Sequence, residues 1–148
     1  MNTRTVDRGV SKVAAVTLGF WVAKILATTL GETGGDTVSM SWGFGYVVAT
    51  AIFGAALILL VALQVRASSY RPALYWATII ASTTAGTTLA DFADRSLGIG
   101  YAGGSLLLLF MVLGSLASWK LVEGRVSSTH VVSGRTELFY WLKVIVSQ

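Results

Sequence analysis

Long uncharged stretches separate short polar connections along this chain. No charged residue occurs over 29, 19 and 24 consecutive positions in residues 37–65, 72–90 and 96–119. A helix crosses the hydrocarbon core of a bilayer with about 20 apolar residues, so each stretch is long enough to span it. A fourth apolar stretch is interrupted only by Lys12 and Lys24. The pattern predicts four transmembrane helices, at about residues 10–31, 43–65, 72–92 and 98–121.

The expected fold class is therefore an all-α integral membrane protein, with one membrane domain over residues 1–148. A secretory signal peptide is the alternative for the first helix, because Arg4, Arg8 and Lys12 precede its apolar run. Signal peptides place a small-residue cleavage site after an apolar core of about 7–15 residues. No such site follows here, and Lys24 interrupts the core. We therefore expect the first helix to be retained.

Composition supports the membrane class. Hydrophobic residues make up 54% of the chain and charged residues 12%, with a mean hydropathy of +0.70; soluble domains average about 25% charged residues. The sequence has no Cys, which excludes disulfides, thiolate nucleophiles and Cys-bound metals. A single His130 excludes a bis-His haem within one chain.

The charges alternate between connections in the way that sets membrane orientation. The first connection carries Glu32 and Asp36 without Lys or Arg, whereas the second carries Arg66 and Arg71. Positive charge accumulates on the cytoplasmic side of membrane proteins. We therefore expect a multi-pass protein of the bacterial inner membrane with both termini cytoplasmic. The net charge of +4 is then an orientation signal, and nucleic acid is not an expected partner.

An internal repeat is the most informative feature of the sequence. Residues 20–46 align with residues 75–101 at an offset of 55 without a gap, and 11 of the 27 positions are identical. Each copy holds two helices, so both copies share one orientation, as in parallel duplications. Repeat 1 covers about residues 10–65 and repeat 2 about 72–121. The identical pairs are Trp21/Trp76, Ile25/Ile80, Thr28/Thr83, Thr29/Thr84, Gly31/Gly86, Thr33/Thr88, Asp36/Asp91, Ser41/Ser96, Gly43/Gly98, Gly45/Gly100 and Tyr46/Tyr101.

A partial third repeat, or tail, occupies residues 135–148, because Tyr140 and Trp141 match Tyr75 and Trp76 at an offset of 65. The nine residues from 138 to 146 are too short to cross a bilayer. One interpretation is a short interfacial helix with aromatic anchors. The other is a chain whose missing repeats come from another chain, so that a homodimer of two-repeat chains has four.

At these motifs the chain resembles a bacterial family of uncharacterised multi-span, membrane-anchored proteins. The family repeats have the form F-W-x-x-K-x-L-x-T-T-x-G-E-T-x-x-D, then Y-W…G-T…D, with R-x-E-x-F-Y-W opening a later copy. They correspond here to residues 20–36, 75–91 and 135–141. The resemblance covers nearly the whole chain, which is shorter than typical members. It implies a multi-span repeat fold and no particular activity.

Polar residues at every fourth position form a stripe along the first helix, namely Lys24, Thr28, Glu32 and Asp36. Lys24 and Glu32 are both absent from the second copy, which suggests a linked pair between adjacent helices or through water. An intramembrane lysine costs roughly 2.5–3.5 kcal/mol by insertion scales and so normally faces a partner or a wet cavity. The alternative is that Lys24 extends towards the membrane surface.

Carboxylates and hydroxyls at the outer ends of helices one and three suggest a site for a hard cation or protons. Oxygen ligands suit Mg²⁺, Mn²⁺ or Ca²⁺ as a cofactor, with Glu32, Asp36 and Asp91 as metal ligands. The full predicted ion or substrate site is Lys24, Thr28, Thr29, Glu32, Asp36, Thr83, Thr84 and Asp91. The alternative is that glycines end the first helix at about residue 31, that the carboxylates are solvated, and that the threonines pack between helices.

Two classes of function remain open. The leading hypothesis is an oligomeric transporter or ion-conducting protein whose path is lined by these threonines, with protonation of Glu32 coupled to cation release. The second is a non-catalytic accessory or scaffold subunit of a larger membrane complex. An enzyme is the weakest, because no nucleophile–base pair is visible and His130 lies on the other side of the bilayer from the acids. The repeated glycines before helices two and four are expected to permit close helix packing.

Overall fold

The computed structural model describes residues 13–123 and 134–147. Within these ranges the protein is helical and contains no strand, which confirms the all-α prediction. A π-helical turn follows the first helix at Thr37–Ser41 and the third at Phe92–Ser96. The five helices are α1 (Leu18–Asp36), α2 (Gly45–Arg66), α3 (Pro72–Asp91), α4 (Gly100–Glu123) and α5 (Gly134–Val146).

The bounds of α1 differ from the predicted 10–31. Residues 13–17 are not helical, and Thr17 caps the helix by accepting a hydrogen bond from the Phe20 amide at 3.2 Å. The predicted first residues, 10–12, lie outside the described residues. At the other end, the expectation that glycines stop the helix was wrong, because α1 continues to Asp36. Gly31 and Gly35 are buried against α3, and this packing outweighs a helix propensity about 1 kcal/mol poorer than that of alanine.

The chain breaks its helices at the repeated glycine pairs. Gly43, Gly45, Gly98 and Gly100 have φ angles of +71°, +77°, +69° and +72°. A Cβ atom added at any of the four would meet nothing within 4 Å. The prediction that they permit close helix packing was therefore wrong. Glycine is needed for the left-handed backbone that begins α2 and α4.

Helix α3 is the centre of the molecule. Both α1 and α2 pack along α3 rather than along each other, so α3 fills the groove between them. Phe20 contacts Trp76 near the start of α1 and α3, and Gly35 faces Thr88 near their finish. The two helices are therefore parallel. We call the end where they begin the aromatic end, and the end with Asp36 and Asp91 the acidic end.

Helix α5 packs on α3 and α4 in the same way that α3 packs on α1 and α2. It contacts both helices, which do not pack along each other. With 13 residues against the 24 of α4, however, it fills only part of the groove between them. It lies at the aromatic end, where Tyr140 and Trp141 contact Tyr75.

The most apolar helices are the least covered. Among the described residues, two helices are long and apolar enough to cross a membrane, at Gly45–Arg66 and Gly100–Val122. In the most apolar 18-residue segment of each helix, only 11% and 6%, respectively, is buried in the structure. Helix α3, which is rich in threonine, instead has more buried side chains than any other helix. Membrane crossing by α1 and α3, and hence a four-span topology, remains a prediction.

Candidate functional site

Glycine on α1 and threonine on α3 bring the two helices into close contact. A Cβ atom added at Gly31 would lie 2.9 Å from Thr83 Cβ, 3.0 Å from the Ile80 carbonyl oxygen and 3.1 Å from Thr84 Oγ1. At Gly35 it would lie 3.2 Å from Thr88 Cγ2. Small residues spaced by four allow such close approach between membrane helices. The repeated threonines of α3 therefore act at least as packing residues.

The hydroxyl groups of these threonines donate to the backbone of their own helix. Thr83 donates to the Ile79 carbonyl at 3.1 Å and Thr84 to the Ile80 carbonyl at 2.9 Å. Both side chains are buried. The equivalent residues of the first copy differ in surroundings, because Thr28 is half-buried and Thr29 is exposed. Thus Thr83 and Thr84 of the predicted threonine set lie between the helices, whereas Thr29 lies on the open face of α1 and Thr28 is only partly covered.

The three predicted carboxylates lie at one end of the α1–α3 pair. Glu32 is exposed, and Asp36 and Asp91 are partly exposed. Among the residues that the structure describes, no three His, Cys, Asp or Glu side chains are grouped so that they could hold a metal ion. A metal site on Glu32, Asp36 and Asp91 therefore has no geometric support within the described part of one chain.

Asp91 and Asp36 differ in their charge partners. Arg95 Nε lies 3.3 Å from Asp91 Oδ1, and the Arg95 guanidinium carbon lies 5.8 Å from the centre of the Tyr46 ring. Asp91 raises the pKa of Arg95 further above its ordinary value, so the arginine stays charged. The first copy has Met40 in place of Arg95. The two copies therefore differ in charge here, because Arg95 compensates the negative charge of Asp91 and the first copy has no arginine at the equivalent position.

Lys24 is half-buried on α1, and its carbonyl oxygen accepts a hydrogen bond from Thr28 at 2.8 Å. Lys24 and Glu32 lie eight residues apart along α1, about 12 Å at 1.5 Å per residue, which is too far for a direct ion pair within one helix. A linked pair between adjacent helices or through water stays a prediction.

Sequence reasoning missed an aromatic cluster at the aromatic end. The hydroxyl groups of Tyr75 and Tyr140 are 2.7 Å apart, and Trp119 stacks on Phe139 with ring centres 6.5 Å apart. Trp119 and Trp141 are each only 1% exposed. The tail aromatics are thus buried against α3 and α4 rather than presented as interfacial anchors. Burial raises the pKa of Tyr140 above its ordinary value.

The aromatic contacts repeat from one copy to the next. Phe20 contacts Trp76 with ring centres 5.6 Å apart, and Tyr75 contacts Trp141 at the same distance. In each case the first aromatic residue of one copy meets the tryptophan of the next. The repeat of the F/Y-W pair was visible in the sequence and could have predicted this contact. It places α5 on α3 as the first helix of a third copy.

An open apolar groove of about 290 Å³ lies between α1 and α3, lined by Ala23, Leu26, Ala27, Leu30, Trp76 and Ile80. It contains no ionisable side chain, which is unlike a catalytic or ion-binding pocket. Its apolar lining fits a hydrocarbon chain or another helix.

These features define a helical repeat protein in which each repeat is completed by the first helix of the next. A family model matches residues 19–70 and again residues 74–125, which reproduces the 55-residue offset. The chain therefore belongs to the family described as Repeat of Unknown Function (DUF347), and its internal duplication is confirmed. The comparison with curated proteins and the comparison with solved structures each gave no match.

Proposed function

We propose that this protein is a multi-span membrane subunit that works by assembling with other membrane helices, as an accessory or scaffold component. The observation that supports it most is that the two helices apolar enough to cross a bilayer are almost uncovered. Contiguous apolar surface of this extent marks a membrane or protein interaction surface. Both termini would lie in the cytoplasm, with the acidic end outside.

Assembly is proposed because α1 carries polar groups on its uncovered face. Thr29, Glu32 and Thr33 are exposed in the single chain. Within a membrane-spanning helix, ionisable and polar side chains normally face other helices or a wet cavity. A single chain leaves this face of α1 without such a neighbour among the described residues, which favours a subunit completed by a partner.

Membrane insertion and topology can be tested with single cysteines, because the native chain has none. Met40→Cys lies near the acidic end, and Ser68→Cys lies between α2 and α3; both native side chains are exposed. A membrane-impermeant maleimide should label the first variant in intact cells, and the second only after permeabilisation. Release of the chain by alkaline carbonate, or labelling of both sites from one side, would contradict the proposed topology.

Transport of a hard cation or protons is a second candidate. It is favoured by the placement of Glu32, Asp36 and Asp91 at one end of α1 and α3, beside the exposed Thr29. In an assembled oligomer these oxygens would line an outer vestibule, with Lys24 as a charge partner. Purified protein in liposomes should then conduct, and Glu32→Gln should abolish the flux while Asp94→Asn, a matched acidic-end control, should not. If the protein reconstituted by itself shows no flux, and it copurifies with a stoichiometric partner, the scaffold function would be favoured.

A further inference from the structure

The contact surface of α3 on α1 is duplicated in α1 itself. On α3 this surface consists of Trp76, Ile80, Thr83, Thr84 and Thr88, which face Phe20, Gly31 and Gly35 of α1 or line the groove beside them. All five residues recur 55 positions earlier as Trp21, Ile25, Thr28, Thr29 and Thr33. We call this second set the α1 donor face.

The donor face is uncovered in the single chain. Trp21 is 55% exposed and Ile25 64%, whereas on α3 the equivalent Trp76 and Ile80 are partly buried against α1. Thr29 and Thr33 are also exposed, whereas Thr84 and Thr88 are buried. Four of the five side chains are thus exposed in the first copy, and the fifth, Thr28, is half-buried, whereas all five have a helix to pack on in the second copy.

The receiving surface of α1 is duplicated as well. Its small residues Ala27, Gly31 and Gly35 correspond to Ser82, Gly86 and Ala90 on α3. We call these three α3 residues the receiving face. Burial decreases along it, from Ser82 at 1% exposed, through a partly exposed Gly86, to an exposed Ala90. Helix α5 therefore covers only the part nearer the aromatic end.

We propose that the occupant of this receiving face is the α1 donor face of a second copy of the same chain. The proposal rests on the proposed membrane subunit and names its partner. It continues the α1–α3 interface by one repeat, with the same donor residues packing on small residues in the corresponding register. When the partner's receiving face takes the first chain's α1 in return, two chains form a closed set of four repeats about an axis along the membrane normal.

Helix α5 competes with the second copy for the aromatic-end part of the groove. Trp141 packs on Tyr75 there, and Ile145 packs in the cluster that contains Leu57, Ala81 and Ala85. A full-length α1 can seat only when α5 leaves this position. Weakening the α5 contact should therefore increase dimer formation, which is the opposite of what a purely structural role for α5 would give.

The test uses one cysteine on each of two differently tagged copies in the same membrane. Gly35 and Thr88 face each other within one chain, where an added Cβ at Gly35 would lie 3.2 Å from Thr88 Cγ2. Their counterparts between chains are Ala90 on the receiving face and Thr33 on the donor face. Oxidative cross-linking of Thr33→Cys with Ala90→Cys should therefore yield a heterotagged dimer. Gly35→Cys/Thr88→Cys in one chain is the positive control for the geometry.

The matched negative control pairs Ala90→Cys with Val47→Cys, since Val47 is 60% exposed near the start of α2 at the acidic end. Thr33→Cys should cross-link to Ala90→Cys about tenfold or more faster than Val47→Cys does, because disulfide formation requires Cβ atoms about 3.5–4.5 Å apart. Adding Trp141→Ala should increase the yield further. Equal rates for both pairs, or no dimer even with Trp141→Ala, would overturn the proposal, as would specific cross-linking of Thr33→Cys to a different protein. Carbonate extraction of the same samples reports membrane insertion separately, so a membrane-bound monomer overturns this inference and not the proposed function.

Discussion

Replacing Gly31 by alanine tests the close contact between α1 and α3 directly. The added Cβ would lie 2.9 Å from Thr83 Cβ and 3.0 Å from the Ile80 carbonyl oxygen. The carbonyl belongs to the backbone of α3 and accepts the Thr84 hydroxyl at 2.9 Å, so it cannot move independently. The whole of α1 must therefore shift outward by a few tenths of an ångström. Overpacking of this kind costs about 1–3 kcal/mol.

Gly34→Ala is the matched control for this substitution. It lies on the same helix three residues further on, and an added Cβ there meets nothing within 4 Å. Both variants gain about 0.8–1 kcal/mol of helix propensity over glycine, so this contribution cancels between them. The free energy of unfolding of Gly31→Ala should therefore lie about 1–3 kcal/mol below that of Gly34→Ala.

Denaturant titration of each variant in the same detergent measures this difference. Gly35→Ala should fall between the two, because its shortest new contact is 3.2 Å to Thr88 Cγ2 and the atoms of Thr84 lie at an ordinary 3.5 Å. If Gly31→Ala is as stable as Gly34→Ala, the close packing of α1 on α3 is not present in the folded protein. The argument that glycine at this position serves the helix contact would then be refuted.

Three further predictions follow from the aromatic cluster and the glycine turns. Tyr75→Phe should lower the free energy of unfolding by about 1–3 kcal/mol because it leaves the buried Tyr140 hydroxyl without its 2.7 Å partner; in a double-mutant cycle, Tyr75→Phe/Tyr140→Phe should recover part of the loss. Burial raises the pKa of Tyr140 above its ordinary 10.0, so its contribution to stability should be present below pH 10 and disappear as the pH rises through the higher folded-state pKa; Tyr140→Phe should flatten that part of a pH–stability curve. Gly98→Ala should destabilise by about 1–2 kcal/mol through its φ of +69° alone, and Gly98→Asn by less, as thermal unfolding of the two variants can establish.

Much of the helical organisation could be predicted because hydropathy acts locally. The uncharged runs predicted α2, α3 and α4 to within about two residues at each end, which is the usual uncertainty of helix bounds. The C-terminal end of α1 was predicted poorly, because Gly31, Gly34 and Gly35 favour a helix end by intrinsic propensity. The helix continues because Gly31 and Gly35 pack on Thr83, Thr84 and Thr88, which lie about 50 residues further along the chain.

The candidate site could be predicted only in part. The repeat singled out the threonines, and the alignment of the copies placed Asp36 and Asp91 at one end. Whether a threonine hydroxyl faces an ion path or a neighbouring helix depends on which face of its own helix is covered by other helices. The sequence treated Thr29 and Thr84 as equivalent, whereas the first is exposed and the second is buried.

The duplication, the charge-free runs and the matching F/Y-W pairs are properties of the amino-acid order, and they alone determined that two tandem copies and apolar helices are present. Only the tertiary structure decided that α3 lies between α1 and α2, that the tail aromatics are buried, and that α1 keeps an uncovered donor face. The reason is physical. Hydropathy and backbone preference act over a few residues, whereas the packing of Gly31 on Thr83 depends on how distant helices meet. Equivalent side chains of the two copies, such as Thr29 and Thr84, are exposed or buried according to which helix lies next to them.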